Sequence, residues 1–340
     1  MKRYGNLFEK AFSLENIYQA YLDARKGKRT KRACFEFEKH LGENIDKLYS
    51  SIWDGTYVPD EYFQFTVYEP KERIIHAPSF RDVVVQHAIY RIIYPIFDKS
   101  FIDTSFACRL GKGTHRAAKY TRSSMQKHSG EEYILKLDVR KFFYSITQSI
   151  LRRLVERKIK DKRFVDMIMI FAKMESSDGI PIGNLLSQIF ALIFLNPLDH
   201  FIKRILKIKH YVRYVDDFLL IGITREQCLR YRAMIVGFLH DTLDLSLSKS
   251  SISKIRKGIN FCGYRTWRSL VFIRKHSLYK FKRSIKHEKQ ESTNSLLGHA
   301  KHTNSLIYML NLLKEEISNG KNLQIPKSYR HLCHTHLARA

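Results

Sequence analysis

The sequence predicts an α+β protein, mostly helical, with a small antiparallel sheet. Three observations predict it. Short apolar runs of strand length end on acids, as in Tyr133-Ile-Leu-Lys-Leu-Asp138 and in the stretch from Tyr211 to Gly222 around Asp216-Asp217. Longer tracts carry their apolar residues at helical spacing with basic residues between them. Only 15 glycines and 7 prolines punctuate 340 residues, and no repeat or low-complexity linker separates the parts. The segments are therefore expected to pack together rather than hang on tethers.

Taken in order, residues 7–53 read as helix. Phe63 to Tyr68 alternates as a strand and Pro70 to Arg73 reads as a turn. Asp82 to Phe97 has the pattern of an amphipathic helix closed near Pro95. Tyr133 to Asp138 is a buried strand, and Ser187 to Phe201 an apolar helix. Tyr211 to Gly222 reads as a hairpin with the two acids at its tip, and Ile259 to Tyr264 opens a further short β element. In the last stretch Leu306, Leu310, Leu313 and Ile317 form one stripe, as expected of helices with a single buried face.

Sixty Lys and Arg against 33 Asp and Glu leave a formal charge of +27, with a pI near 9.8. A polyanion is the expected partner, nucleic acid first and an anionic membrane surface second. A content of 44% hydrophobic and 13% aromatic residues excludes a disordered basic tail. The tail from Lys249 to Ala340 holds 19 Lys or Arg against 4 Glu and no Asp, more than half of the excess. No uninterrupted apolar run reaches the roughly 18 residues of a spanning helix, and the first residues lack a signal-peptide apolar region. The five cysteines are scattered without a Cys-x-x-Cys pair, which suits a reducing compartment, and a cytoplasmic protein is expected. His331-x-Cys333-His334-x-His336 has metal-ligand residue types in a spacing that matches no zinc module.

In so basic a chain, acids at the ends of apolar strands need a reason. Neighbouring carboxylates repel, and burial raises the cost of their charge. A divalent cation relieves both penalties, and Mg²⁺ prefers hard oxygen ligands together with substrate phosphates. An Asp-Asp pair can also simply make a turn. The second strand-end acid, Asp138, favours the metal reading.

The motifs around these acids carry a resemblance. Tyr214-Val-Asp-Asp217 resembles the Tyr-x-Asp-Asp box of reverse transcriptases, and Leu137-Asp-Val-Arg-Lys-Phe-Phe143 resembles their first palm motif. In the expected order lie Lys71-Glu-Arg73, Ser79 to Gln86, Ser105-Phe-Ala-Cys-Arg109, Gly183-x-x-x-Ser187-Gln188, Leu245-Ser-Leu-Ser-Lys249 and Phe261-Cys-Gly-Tyr264. Most reverse transcriptases carry Gln-Gly-x-x-x-Ser-Pro before the Asp-Asp box. Here Ile182-Gly-Asn-Leu-Leu-Ser-Gln188 is similar to the pattern of diversity-generating retroelement enzymes, and Leu297 to His302 resembles their thumb.

That resemblance implies a right-hand polymerase fold: an N-terminal helical extension over 1–60, fingers over 61–132, a palm with an antiparallel sheet over 133–264 that lends part of 145–182 to the fingers, and a basic helical thumb over 265–340. It implies RNA-directed DNA synthesis with two Mg²⁺ ions, Mn²⁺ being a possible substitute. Asp138, Asp216 and Asp217 would be catalytic and would bind metal, with the Val139 carbonyl as a further ligand. Lys71, Arg73, Phe143, Gly183 and Lys249 would face the nucleotide: Phe143 as a gate against the ribose 2′-hydroxyl, Lys249 as a proton donor to pyrophosphate. Arg73, Ile182 and Gln188 would set fidelity, Ile182 by removing the polar contact of the usual Gln. Arg81, Arg109, Gly263 and Tyr264 would touch template or primer. The implied partners are template RNA and cDNA, deoxynucleotides, and a small basic oligomeric accessory protein, in a prokaryotic or phage-encoded system. Rival readings are a retron or defence-associated reverse transcriptase, and a palm-fold nucleic-acid-binding scaffold without chemistry.

Overall fold

A computed structural model describes residues 3–68, 72–174 and 179–334. Lys71 and His336 lie outside them, and the side chains of Cys333 and His334 are not described. The chain begins with α1 (Leu7–Ala11), α2 (Leu14–Arg25), α3 (Arg32–Lys39) and α4 (Leu41–Trp53), so the helical tract expected over 7–53 is broken into four. One break is made by Ser13, whose hydroxyl accepts from Asn16 N at 3.2 Å and caps α2. Strands β1 (Phe63–Val67) and β2 (Arg73–Ala77) pair antiparallel with Phe65 opposite Ile75.

Helix α5 (Phe80–Asp98) starts at the Ser79 cap and passes through Pro95 instead of closing there. One lost hydrogen bond so near the helix end is offset by burial of Ile93 and Phe97 on either side of the proline. After α6 (Thr114–Gln126) come β3 (Tyr133–Val139), α7 (Gln148–Glu156), α8 (Lys162–Ile170) and α9 (Leu185–His200). A π-type turn over Phe201–Ile205 extends α9. The combined 21 residues contain an 18-residue window of mean hydropathy 1.5, long and apolar enough to cross a membrane by length and composition, although the sequence has no uninterrupted apolar run of that length. Two thirds of that apolar window is buried in the protein, as in a core helix. Then follow β4 (His210–Tyr214), β5 (Asp217–Ile223), α10 (Arg225–Leu243), β6 (Leu247–Lys254), β7 (Ile259–Phe261), β8 (Tyr264–Thr266) and β9 (Val271–Ile273). Helices α11 (Lys275–Lys286), α12 (Gln290–Ala300), α13 (Leu306–Ser318) and α14 (Arg330–His334) complete the chain.

These elements form two compact units, each discontinuous in sequence. The first comprises residues 1–103, 138–208 and 233–249. In it α2 packs along α5, burying Ile17, Ala20, Val84 and Ala88. A buried acid sits there too. Asp82 accepts from Tyr57 Oη at 2.6 Å and from Asp60 N at 2.8 Å, and it pairs with Arg81.

Burial, partly countered by the Asp23 charge, lowers the pKa of His87 on α5 from 6.5 to about 4. The folded state thus binds this proton less readily than the unfolded chain. Stability from this group is full above pH 6.5 and is lost as the pH falls toward 4, by on the order of 3 kcal/mol. Urea midpoints measured from pH 7 to 4 should fall steadily, and His87→Asn should flatten that decline.

The second unit comprises residues 104–137, 209–232 and 250–340. Its main sheet has four strands in the order β4-β5-β3-β6, and a smaller one has the order β7-β8-β9. Strands β4 and β5 pair antiparallel with Tyr214 opposite Asp217, leaving only Val215 and Asp216 in the turn. Leu306, Leu310 and Leu313 of α13 are buried as their stripe predicts, with Ile317 packed at the edge of the same cluster.

Candidate active site

The acid-bearing hairpin is built by its own sequence. Apolar residues on β4 and β5 anchor both arms in the core, with Val212, Phe218, Leu219 and Leu220 fully buried. The turn needs a left-handed residue, and Val215 supplies it at φ 56°. A β-branched side chain is disfavoured there, so the turn stores on the order of 1–3 kcal/mol of strain that the anchored arms must hold. Beneath it, Arg213 is wholly buried and donates from Nη1 to the Val215 carbonyl at 2.9 Å. The edge of β4 is joined by the Ser105 motif: Phe106 N donates to the Arg213 carbonyl at 3.0 Å, and Arg109 folds back onto the Ser105 carbonyl at 3.1 Å.

Asp217 does not stand alone. The Lys136 ammonium lies 2.7 Å from its Oδ2 and 2.8 Å from the Asn260 carbonyl, over the Phe261 ring. Both charged side chains are only about one fifth exposed. Sequence reasoning assigned Lys136 and Arg213 no role. The available signal was a single cation inside each apolar strand, in Ile-Leu-Lys-Leu and Tyr-Val-Arg-Tyr-Val.

In the first unit, Asp138 and Val139 finish β3. The Ser248 hydroxyl donates to the Asp138 carboxylate and lies 3.3 Å from its backbone carbonyl. Lys249, the next residue of β6, is exposed. Phe142 is buried at 2% exposure, whereas its neighbour Phe143 is partly exposed. The Phe143 carbonyl accepts from Ile180 N at 2.9 Å.

That contact leads into the Ile182–Gln188 segment. His76 N donates to the Ile182 carbonyl at 2.7 Å and fixes the segment against β2, which begins at the exposed Arg73. Gly183 has φ 112°, and a Cβ there would lie 2.8 Å from Ile75 Cγ2 and 3.0 Å from the His76 carbonyl oxygen. Asn184 caps α9 by accepting from Leu186 N at 2.8 Å, and Gln86 Oε1 accepts from Leu185 N at 3.0 Å. Gln188 is exposed on the first turn of α9, whereas Ser187 is buried. Arg73, Phe143, Ile182 and Gly183 thus belong to one connected neighbourhood.

Two of the residues expected at template or primer have partners within the protein. Arg81 is held within the protein, 2.9 Å from Asp60 Oδ1 and 2.7 Å from the Val58 carbonyl, so its charge is already engaged. Tyr264 is buried at 1% exposure, stacked on His299, with its hydroxyl 2.9 Å from His115 Nδ1. Its ring is unavailable for stacking on a primer, which leaves Gly263, at φ 86°, as the accessible part of that pair.

The donors that could serve a metal are all carboxylate and carbonyl oxygens, the chemistry that suits Mg²⁺. Lys136 shows that Asp217 already attracts a cation. Among the described residues no three or more His, Cys, Asp or Glu side chains are gathered as a metal-binding group.

The profile of the family described as reverse transcriptase (RNA-dependent DNA polymerase) matches residues 68–266, well over half of the chain. The chain belongs to that family. It is 25% identical over 326 residues to the group II intron-encoded protein LtrA of Lactococcus lactis subsp. cremoris, a match covering 73% of this chain and 54% of that protein. The chain therefore spans about half the length of that relative. It is also 25% identical over 313 residues to protein YkfC of Escherichia coli K12, covering 76% of this chain and 78% of that one. Among solved structures, telomerase from Candida albicans in complex with a telomeric RNA fragment aligns over 86% of this chain and 62% of its own, at 14% identity and a TM-score of 0.48. A likeness that loose carries no functional conclusion.

Proposed function

We propose that this chain is an RNA-directed DNA polymerase, adding deoxynucleotides to a primer 3′-hydroxyl on an RNA template. The observation that carries the reading is the strained, acid-tipped hairpin at Tyr214–Asp217, inside the region that the family profile matches. Asp138, Asp216 and Asp217, with the Val139 carbonyl, would hold two Mg²⁺ ions, for which Mn²⁺ could substitute. When bound, such ions activate the 3′-hydroxyl and neutralise charge on the departing pyrophosphate.

The protein's own residues do the rest. Lys136 holds the Asp217 carboxylate in place. Ser248 orients the Asp138 carboxylate. Lys71 and Arg73 hold the triphosphate, Phe143 crowds a ribose 2′-hydroxyl, and Lys249 gives a proton to pyrophosphate. Arg109 and Gly263 serve template and primer. In this reading the thumb is the basic helical segment of residues 265–340, the palm carries the main sheet, and the fingers carry β1 and β2.

Within the family we favour an error-prone enzyme of a diversity-generating retroelement, working with a small basic accessory protein. Its support is Ile182-Gly-Asn-Leu-Leu-Ser-Gln188. Ile182 offers no polar contact to the nucleotide, and correct geometry is rewarded less. Each 1.4 kcal/mol lost from discrimination admits about tenfold more error. Gln188, in place of the usual proline, restores a backbone N–H beside the same segment. A second reading, an enzyme of the group II intron type, is favoured by the similarity to LtrA.

Sequencing cDNA copied from one RNA separates them. The wild-type enzyme should misincorporate mainly opposite adenine, and Ile182→Gln should cut that error severalfold. Less product with an unchanged error spectrum would mean that Ile182 only packs.

A further inference from the structure

A cavity of about 470 Å³ lies wholly within the second unit, and the acids of the hairpin do not line it. Its wall carries His115, Arg116, Lys119 and Arg122 from α6, with Tyr264 and His302 closing the other sides. Among the described residues no acid lines it. That is unusual for cations converging on one hollow, because like charges brought together repel unless an anion joins them.

The cavity is also built to keep its shape. Arg122 is fixed by two carbonyls, Ser269 at 2.5 Å and Arg268 at 3.4 Å, which engage two of its five donors. His115 is tied through Nδ1 to the buried Tyr264 hydroxyl at 2.9 Å, and its ring lies 4.9 Å from that of His302. Arg116 and Lys119 are one turn apart at the start of α6, whose first turn presents the positive end of its dipole. Ala118 and Val271 give the remaining wall an apolar character.

We propose that this cavity binds a phosphate group, and that its source is the backbone of RNA. Guanidinium and ammonium groups spaced along one face of α6 match the charge of a phosphodiester and its spread of oxygens. The apolar wall leaves room for the attached sugar. The choice of RNA rests on the polymerase reading, whereas affinity for phosphate does not.

Residue-specific acetylation of the whole wild-type chain tests it. Lysines are labelled with an amine-reactive ester and read by peptide mass spectrometry, with no addition, with a 20-nucleotide single-stranded RNA, or with inorganic phosphate at constant ionic strength. No deoxynucleotide is present, so failure of polymerisation cannot be confused with failure of binding. RNA should lower labelling of Lys119 at least fivefold while leaving that of Lys47, on α4, within twofold. Arg116→Gln/Lys119→Gln should also weaken RNA binding and reduce the slope of log affinity against log salt by about 0.7, the value for one single-strand phosphate. Equal protection of Lys47 and Lys119, or no protection of Lys119, overturns the proposal. Protection by inorganic phosphate but not by RNA overturns the assignment to a backbone.

Discussion

Asp216→Asn lowers RNA-templated extension by at least about a thousandfold, and Asp138→Asn does the same. Each substitution keeps the size of the side chain and removes one full negative charge, so what is lost is the attraction for a divalent cation. Asparagine is well tolerated in a tight turn, and the arms of the hairpin keep their buried residues, so the fold should survive at position 216. RNA affinity should stay within about twofold, because it comes from Lys and Arg on phosphates. Asp217→Asn should differ in kind. It leaves the Lys136 ammonium four-fifths buried against a neutral amide, so stability should fall along with activity. Extension and RNA-binding assays on the same preparations, with urea midpoints alongside, distinguish these outcomes. Robust extension by the Asp216 or Asp138 variant would remove these acids from the mechanism.

Gly183→Ala should lower extension by more than tenfold and destabilise the protein by on the order of 2–4 kcal/mol. Two effects act together. The backbone at φ 112° lies where side chains are rarely tolerated, and the new methyl would sit 3.0 Å from a backbone carbonyl that cannot swing away. Relief requires the segment to leave β2, breaking the 2.7 Å bond from His76 N to the Ile182 carbonyl. Gly42→Ala on α4 is the matched control. Nothing lies within 4 Å of its added methyl, so the substitution should be neutral or stabilising by about 0.5–1 kcal/mol. If both glycines respond alike, the tight approach at Gly183 is not what holds the segment.

The acids and their strands were legible because alternation and apolar runs fix strand ends within a residue or two, as at Tyr133–Val139 and His210–Ile223. The partly exposed Phe143 beside a buried Phe142 was legible for a similar reason, since a tight turn sends neighbouring side chains apart. What could not be read were interactions set by distance in space. The Lys136–Asp217 pair joins residues 81 apart, and the Ser248–Asp138 contact joins residues 110 apart. Arg81 and Tyr264 carried the right motif, yet Asp60 takes up the first and the His115–His299 surroundings bury the second. Pro95 misled because a helix tolerates a proline close to its end when its neighbours are buried.

The most direct measurement is extension of a DNA primer on an RNA template by the purified full chain, with Mg²⁺ and either deoxynucleotides or ribonucleotides. The account predicts an alkali-resistant DNA product that requires both the RNA template and the divalent ion. It predicts at least tenfold preference for deoxynucleotides in the presence of Phe143, and less in Phe143→Ala. Folded protein that binds the primer–template but makes no product, or that extends equally well with ribonucleotides, would contradict it.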